Sequence, residues 1–200
     1  MTKAALAGRR RDLAVYQRAL PSLELKRQQL VLDLAAERAA AELLDEEAGR
    51  LGERARAIRF AADRDVALEP LLAIAGVERR EEMRLGIALP VISHIDWVPG
   101  ASTPNASSDD YPPWVDAALR VTRGLAETRL RIETARARIG RIERALRRAV
   151  QRINLLQQVL MPEARRDIAH IATFLADGQR MATARSKLLV ARKAARASAR

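Results

Sequence analysis

The chain has 200 residues, with 36 Lys and Arg against 25 Asp and Glu, a formal net charge of +11 and no cysteine. Without cysteine there are no disulfides, thiol nucleophiles, iron–sulfur clusters or cysteine-ligated zinc sites. Only two Trp, two Tyr and two Phe are present, whereas Ala alone accounts for 39 residues. A rounded core draws much of its burial from large rings, so this composition points instead to long Ala- and Leu-packed helices.

The charge is concentrated at the two ends. Residues 1–20 carry a net +4 and residues 178–200 a net +7, so residues 21–177 are neutral. A basic end suits nucleic acid, an anionic membrane or an acidic protein surface. The first thirty residues lack a secretory apolar region, because Ala4–Ala7 runs straight into Gly8-Arg9-Arg10-Arg11. No stretch approaches the roughly 18 apolar residues of a membrane span. The expectation is a soluble, cytoplasmic chain.

Heptad spacing from Leu13 predicts a long N-terminal helical arm over 1–59. One series of positions is Leu13, Leu20, Arg27, Leu34, Ala41, Ala48 and Ala55; the other is Tyr16, Leu23, Leu30, Glu37, Leu44, Leu51 and Ile58. Only Arg27 and Glu37 break the apolar pattern of a coiled-coil seam. Pro21 marks a kink or the first turn of a new helix.

Residues 60–113 read differently and hold six of the eight prolines. Residues 66–75 read as a short helix. Residues 77–83 and 85–92 read as two strands, with a turn near 84–86 and with Pro90 restricting the second to a sheet edge. Residues 100–110 read as a polar loop, and Pro112-Pro113-Trp114 opens the next helix.

A second arm over 114–178 repeats the heptads. Ala118, Leu125, Ile132, Ile139, Leu146, Ile153 and Leu160 share one position; Val121, Thr128, Ala135, Ile142, Ala149 and Leu156 share the other. Past Leu160 the phase drifts beside Pro162, and steps of four predict a locally flattened or reversed supercoil. Residues 179–200 form a basic tail. Neither apolar stripe can remain exposed, so the arms are expected to pair antiparallel. The fold class is therefore all-α: a long two-helix coiled-coil hairpin with a small β-hairpin in an irregular middle. Such a hairpin brings Arg9, Arg10 and Arg11 to the same end as Arg180, Arg185, Lys187, Arg192 and Lys193.

Little in the sequence carries chemistry. There is no phosphate loop and no G-x-G-x-x-G. His94 and His170 stand far apart without metal-ligand spacing. Ser93, His94 and Asp96 contain the residue types of a hydrolase triad, but lie too close along the chain to converge. Catalytic, metal and cofactor sites are accordingly assigned to no residue. The basic ends lack the interleaved aromatics of a base-stacking surface, which still leaves non-specific phosphate binding open.

Four segments, in order, resemble the D subunit of the V-type and A-type rotary ATPases. They are Leu20-Pro21-Ser22-Leu23-Glu24-Leu25-Lys26-Arg27-Gln28-Gln29-Leu30, residues 81–92 with Gly86 ahead of Leu89-Pro90, Pro113-Trp114-Val115-Asp116-Ala117-Ala118, and Gln151-Arg152-Ile153-Asn154-Leu155-Leu156-Gln157-Gln158-Val159-Leu160-Met161-Pro162. Two departures stand out: glutamine at 157 or 158 where that family usually has an acid, and an Ala- and Arg-rich tail. The resemblance implies a non-catalytic axle of a central stalk, turning inside a ring of A and B subunits, with an F subunit alongside and another stalk protein linking it to the membrane ring. It implies a peripheral membrane location and no cofactor. The gamma axle of F-type ATP synthases shares the hairpin plan, but 54 middle residues leave little room for its larger α/β domain. Outside the resemblance, the rival is a free-standing coiled-coil adaptor or a nucleic-acid-binding rod.

Overall fold

A computed structural model describes residues 2–61, 72–98 and 114–198. The elements are α1 (Lys3–Ala61), β1 (Ile74–Arg84), β2 (Ile87–Trp97), α2 (Trp114–Leu155), a five-residue π turn (Leu156–Leu160) and α3 (Met161–Ser198). The chain is a helical hairpin with a β-hairpin in its middle. It divides into two units: residues 1–27 with 148–200, and residues 28–147.

In the second unit, α1 and α2 pair antiparallel. As the partner on α1 moves from Glu37 to Asp45 and Leu51, the partner on α2 falls from Arg138 to Arg136 and Gly124. Leu30, Leu34, Ala41, Ile132, Ala135 and Ile142 are buried at this seam, in heptad steps. Thr128, the polar exception on α2, is buried as well. Its hydroxyl donates to the Gly124 carbonyl at 2.8 Å, so the seam gains no unsatisfied group.

The β-hairpin lies along α2. Arg141 reaches Ala88, and the Arg123 guanidinium sits 5.2 Å above the Trp97 ring. From residue 88 to 97 a strand rises about 30 Å, and from 141 to 123 a helix covers about 27 Å, so the two run side by side. Leu89 is buried, while most of β1 is exposed and charged, which suits the open edge of a two-stranded sheet. Pro90 pairs with Glu81 within this sheet. β1 extends beyond the expected 77–83 at both ends, whereas β2 starts two residues later than the expected 85, because Leu85 and Gly86 form the turn, and runs on past 92 to Trp97. Ala75 and Ser93 are skipped in the pairing register, and the Val98 amide donates to the Ala73 carbonyl at 3.0 Å to close the base. Of the helix expected over 66–75, residues 66–71 lie outside the described residues, whereas Ile74 and Ala75 belong to β1. The expected loop at 100–110 and Pro112-Pro113 also lie outside them.

In the first unit, α1 is capped by the preceding Thr2, whose hydroxyl accepts from the Ala5 amide at 3.2 Å. The helix continues through Pro21, so no new helix starts there. Pro21 and Gln17, whose carbonyl loses its amide partner to the proline, are both exposed, so the break in the ladder lies on the surface and not in the seam. Opposite, the chain enters the π turn, where the Met161 amide donates to the Leu156 carbonyl. A π turn widens the helix by about one residue and suits Pro162, which has no amide to give and whose ring crowds the preceding turn. Buried positions move from Ile153 to Met161, then to Ala164 and Ile171. The first step is one residue longer than a heptad. The drift seen in the sequence is thus one inserted residue, taken up locally.

Candidate functional site

The residues expected to form a basic tip all belong to the first unit. Arg9 Nε lies 3.0 Å from Asp167, and its Nη1 lies 3.7 Å from Asp12. Gln157 donates to Glu24 at 3.0 Å. The same antiparallel sense holds here: 9 faces 167, and 24 faces 157. Arg9, Arg10 and Arg11 are exposed, and Arg11 Nε donates to the Ala7 carbonyl. On α3, Arg180 approaches Asp177 at 3.5 Å, while Arg185, Lys187 and Arg192 are exposed. Lys193 lies within the same helix. Every residue from 177 to 192 is exposed, including Met181, Leu188, Leu189 and Val190. This end of α3 carries apolar and basic groups with no covering element from the described residues of its own unit.

The residues expected along the seam fall into two grades. Leu30, Leu34, Ile132, Ile142 and Ile153 are buried. Leu23, Leu44, Leu51, Ile139, Leu146, Leu156 and Leu160 are half-buried. The two polar exceptions part company. Arg27 is exposed, whereas the Glu37 side chain is only 11% exposed and accepts from Arg138 and Arg84. Sequence reasoning missed this centre. Its one signal was an acid on an apolar seam, and its partners lie far away in the chain.

The possible chemical groups disperse. Ser93 Oγ donates to the Glu78 carbonyl at 3.3 Å, while His94 pairs with Asp96 at 3.1 Å in the open, so the three residues form no relay. Glu81 and Glu82 are drawn to arginines, Glu81 to Arg141 at 2.7 Å and Glu82 to Arg84 at 3.7 Å. Among the described residues no group of three or more His, Cys, Asp or Glu side chains is placed to hold a metal ion. No helix among them is long and apolar enough to cross a membrane. What the molecule offers is surface: an uncovered helix end in one unit and a docked, charged hairpin in the other.

The family model for the D subunit of ATP synthase matches residues 5–191. The chain belongs to the ATP synthase D-subunit family. The match takes in both helical arms and the β-hairpin. The chain is similar to the V-type ATP synthase D subunit of Chlamydia felis, at 31% identity over 88% of this chain and 85% of that protein. The protein of the same name from Chlamydia caviae is likewise 31% identical over the same shares. That of Borreliella burgdorferi is 24% identical over 94% of this chain and 91% of its own length. Matching at both ends and through the middle, the resemblance is one of whole chains and not of a generic coiled coil.

Proposed function

We propose that this chain, as the D subunit of a V/A-type ATPase, is the non-catalytic rotor of the central stalk. It carries torque between ATP hydrolysis or synthesis in a ring of A and B subunits and ion transport in the membrane ring. Its further partners on this reading are the F subunit and the stalk protein that joins it to the membrane ring. It is peripheral to the membrane as part of that complex.

The observation that carries the reading is the family match over residues 5–191. Two features favour it further. The seams are packed with Leu, Ile and Ala, which favours long, close-set helices over a chemical pocket. The exposed end of α3 pairs apolar side chains with arginine and lysine, as a surface that works against another protein would. We assign Arg9, Arg10, Arg11, Arg180, Arg185, Lys187, Arg192 and Lys193 to a tip that makes changing electrostatic contacts with the ring. Exposed ion pairs are individually weak and screened by salt, so they centre a turning part without holding it at one angle.

The test is rotation of the assembled complex. The chain has no cysteine, so a single Arg80→Cys substitution on the exposed face of β1 accepts one probe. The expected result is ATP-driven turning of that probe relative to an immobilised ring. A probe that stays still while the complex hydrolyses ATP in a coupled manner overturns the rotor reading. Charge reversal at Arg185, Lys187, Arg192 and Lys193 is expected to weaken assembly or rotation. Unchanged assembly and rotation would remove the tip from the mechanism.

A further inference from the structure

Glu37 occupies a seam position where leucine or isoleucine would complete the heptad series of α1. Its carboxylate is gripped by the fork of Arg138 from α2, with Nε at 2.9 Å from Oε2 and Nη2 on Oε1. Arg84, the last residue of β1, adds Nη1 at 3.2 Å from Oε1. Glu82 completes the group, 3.7 Å from Arg84 and 4.0 Å from Arg138. Two acids and two guanidinium groups from three segments thus balance one another. The inner pair is nearly enclosed, at 11% exposed for Glu37 and 14% for Arg138. One turn of α2 away, Arg141 donates to the Ala88 carbonyl at 2.6 Å and to Glu81 at 2.7 Å, tying both strands to the helix.

An apolar seam of repeated Leu, Ile and Ala aligns almost as well after sliding by one heptad, because like residues then meet like. A slide of seven residues displaces a helix by about 10 Å. In one direction it sets Ala145 opposite Glu37; in the other it sets Arg131 there. Arg131 would satisfy part of the carboxylate, but Arg84 would be left behind. The hairpin that carries Arg84 is fastened to α2 by Arg141 and by the stacking of Arg123 on Trp97. Only the observed alignment gives Glu37 both partners. A buried ion pair adds little net stability relative to a packed apolar pair, and its best-attested use is to specify one arrangement among near-equals.

We propose that Glu37 is the alignment lock of residues 28–147. It fixes the axial register of α1 against α2 and, through the same carboxylate, holds the turn end of the β-hairpin down on them. This inference concerns the chain alone and does not depend on the rotor reading.

The absence of cysteine makes the full chain suitable for paired spin labels. Leu43→Cys with Ala137→Cys reports the register of α1 on α2. Met83→Cys with Arg144→Cys reports the hairpin. Leu43, Ala137, Met83 and Arg144 are all exposed. Without further substitution, each pair is expected to give a single narrow distance. Glu37→Gln is expected to broaden both, with a second population in the register pair displaced by about 10 Å. Arg84→Met is expected to broaden the hairpin pair alone. If Glu37→Gln fails to fold, Glu37→Leu with Arg138→Leu supplies an apolar pair that fits the seam. The lock then predicts a folded chain with broadened register. Narrow distances for both pairs in Glu37→Gln, or in the double leucine variant, overturn the proposal. So does broadening in Arg84→Met that spreads to the register pair.

Discussion

Leu85 lies at a φ of 51° and Gly86 at 73°, so the two-residue turn between the strands has both central residues in the left-handed region. A tight hairpin favours this pair of conformations because its twist matches that of the strands. Glycine accepts it freely, but leucine has a Cβ that crowds the carbonyl, at about 1–2 kcal/mol. Leu85→Asn is expected to relieve part of this strain and raise hairpin stability by about 0.5–1 kcal/mol. The readout is slower hydrogen exchange of the β1 and β2 amides. On the helices, Leu30 and Ile142 are fully enclosed, whereas Leu32 is 71% exposed. Leu30→Ala or Ile142→Ala is expected to cost about 2–5 kcal/mol in chemical denaturation, against roughly 0.5 kcal/mol or less for Leu32→Ala. Periodicity alone places Leu30 and Ile142 on the seam. The left-handed leucine was not legible, because no residue type there calls for it.

At the scale of an element, the π turn at Leu156–Leu160 and Pro162 belong together. A proline inside a helix removes one hydrogen bond and clashes with the turn before it. Here the widened turn absorbs both effects and adds one residue to the seam step between Ile153 and Met161. Deleting Gln158 in a Pro162→Ala background is therefore expected to restore ordinary helix while leaving Ala164 and Ile171 facing inward. Stability should change by no more than about 1 kcal/mol, the range of a well-tolerated substitution. Deleting Arg148 in the same background instead rotates the following seam residues by about 100°. That change should lower the melting temperature clearly. Equal losses from the two deletions would show that the π turn does not carry the phase shift.

For the molecule as a whole, the question is what the exposed end of α3 contributes. None of residues 177–192 is even half-buried. Ending the chain at Ala176 is therefore expected to leave folding stability within about 0.5 kcal/mol of the full chain, as for surface changes generally. It also removes a net charge of +6, the seven basic residues of 178–200 less Asp177. If this segment bears on partner subunits, the shortened chain should melt normally but fail to recruit the A and B ring. Melting and co-purification with the partner subunits separate the two effects. Normal recruitment by the shortened chain would move the contact to Arg9, Arg10 and Arg11 or to another surface.

The heptads, the two strands in outline, a turn near 84–86 and the uneven placement of charge were all determined by the sequence itself, because each depends on residues close together in the chain. The family segments were legible for the same reason. Only the tertiary structure decided which of the two polar seam residues mattered. Arg27 turns to solvent, while Glu37 turns inward to Arg138 and Arg84, which lie 101 and 47 residues away. A charge on a stripe looks alike in both cases until its partners are brought to it. The docking of the hairpin along α2 was settled in the same way, by the fit of strand length to helix length and by arginines that reach across from another element.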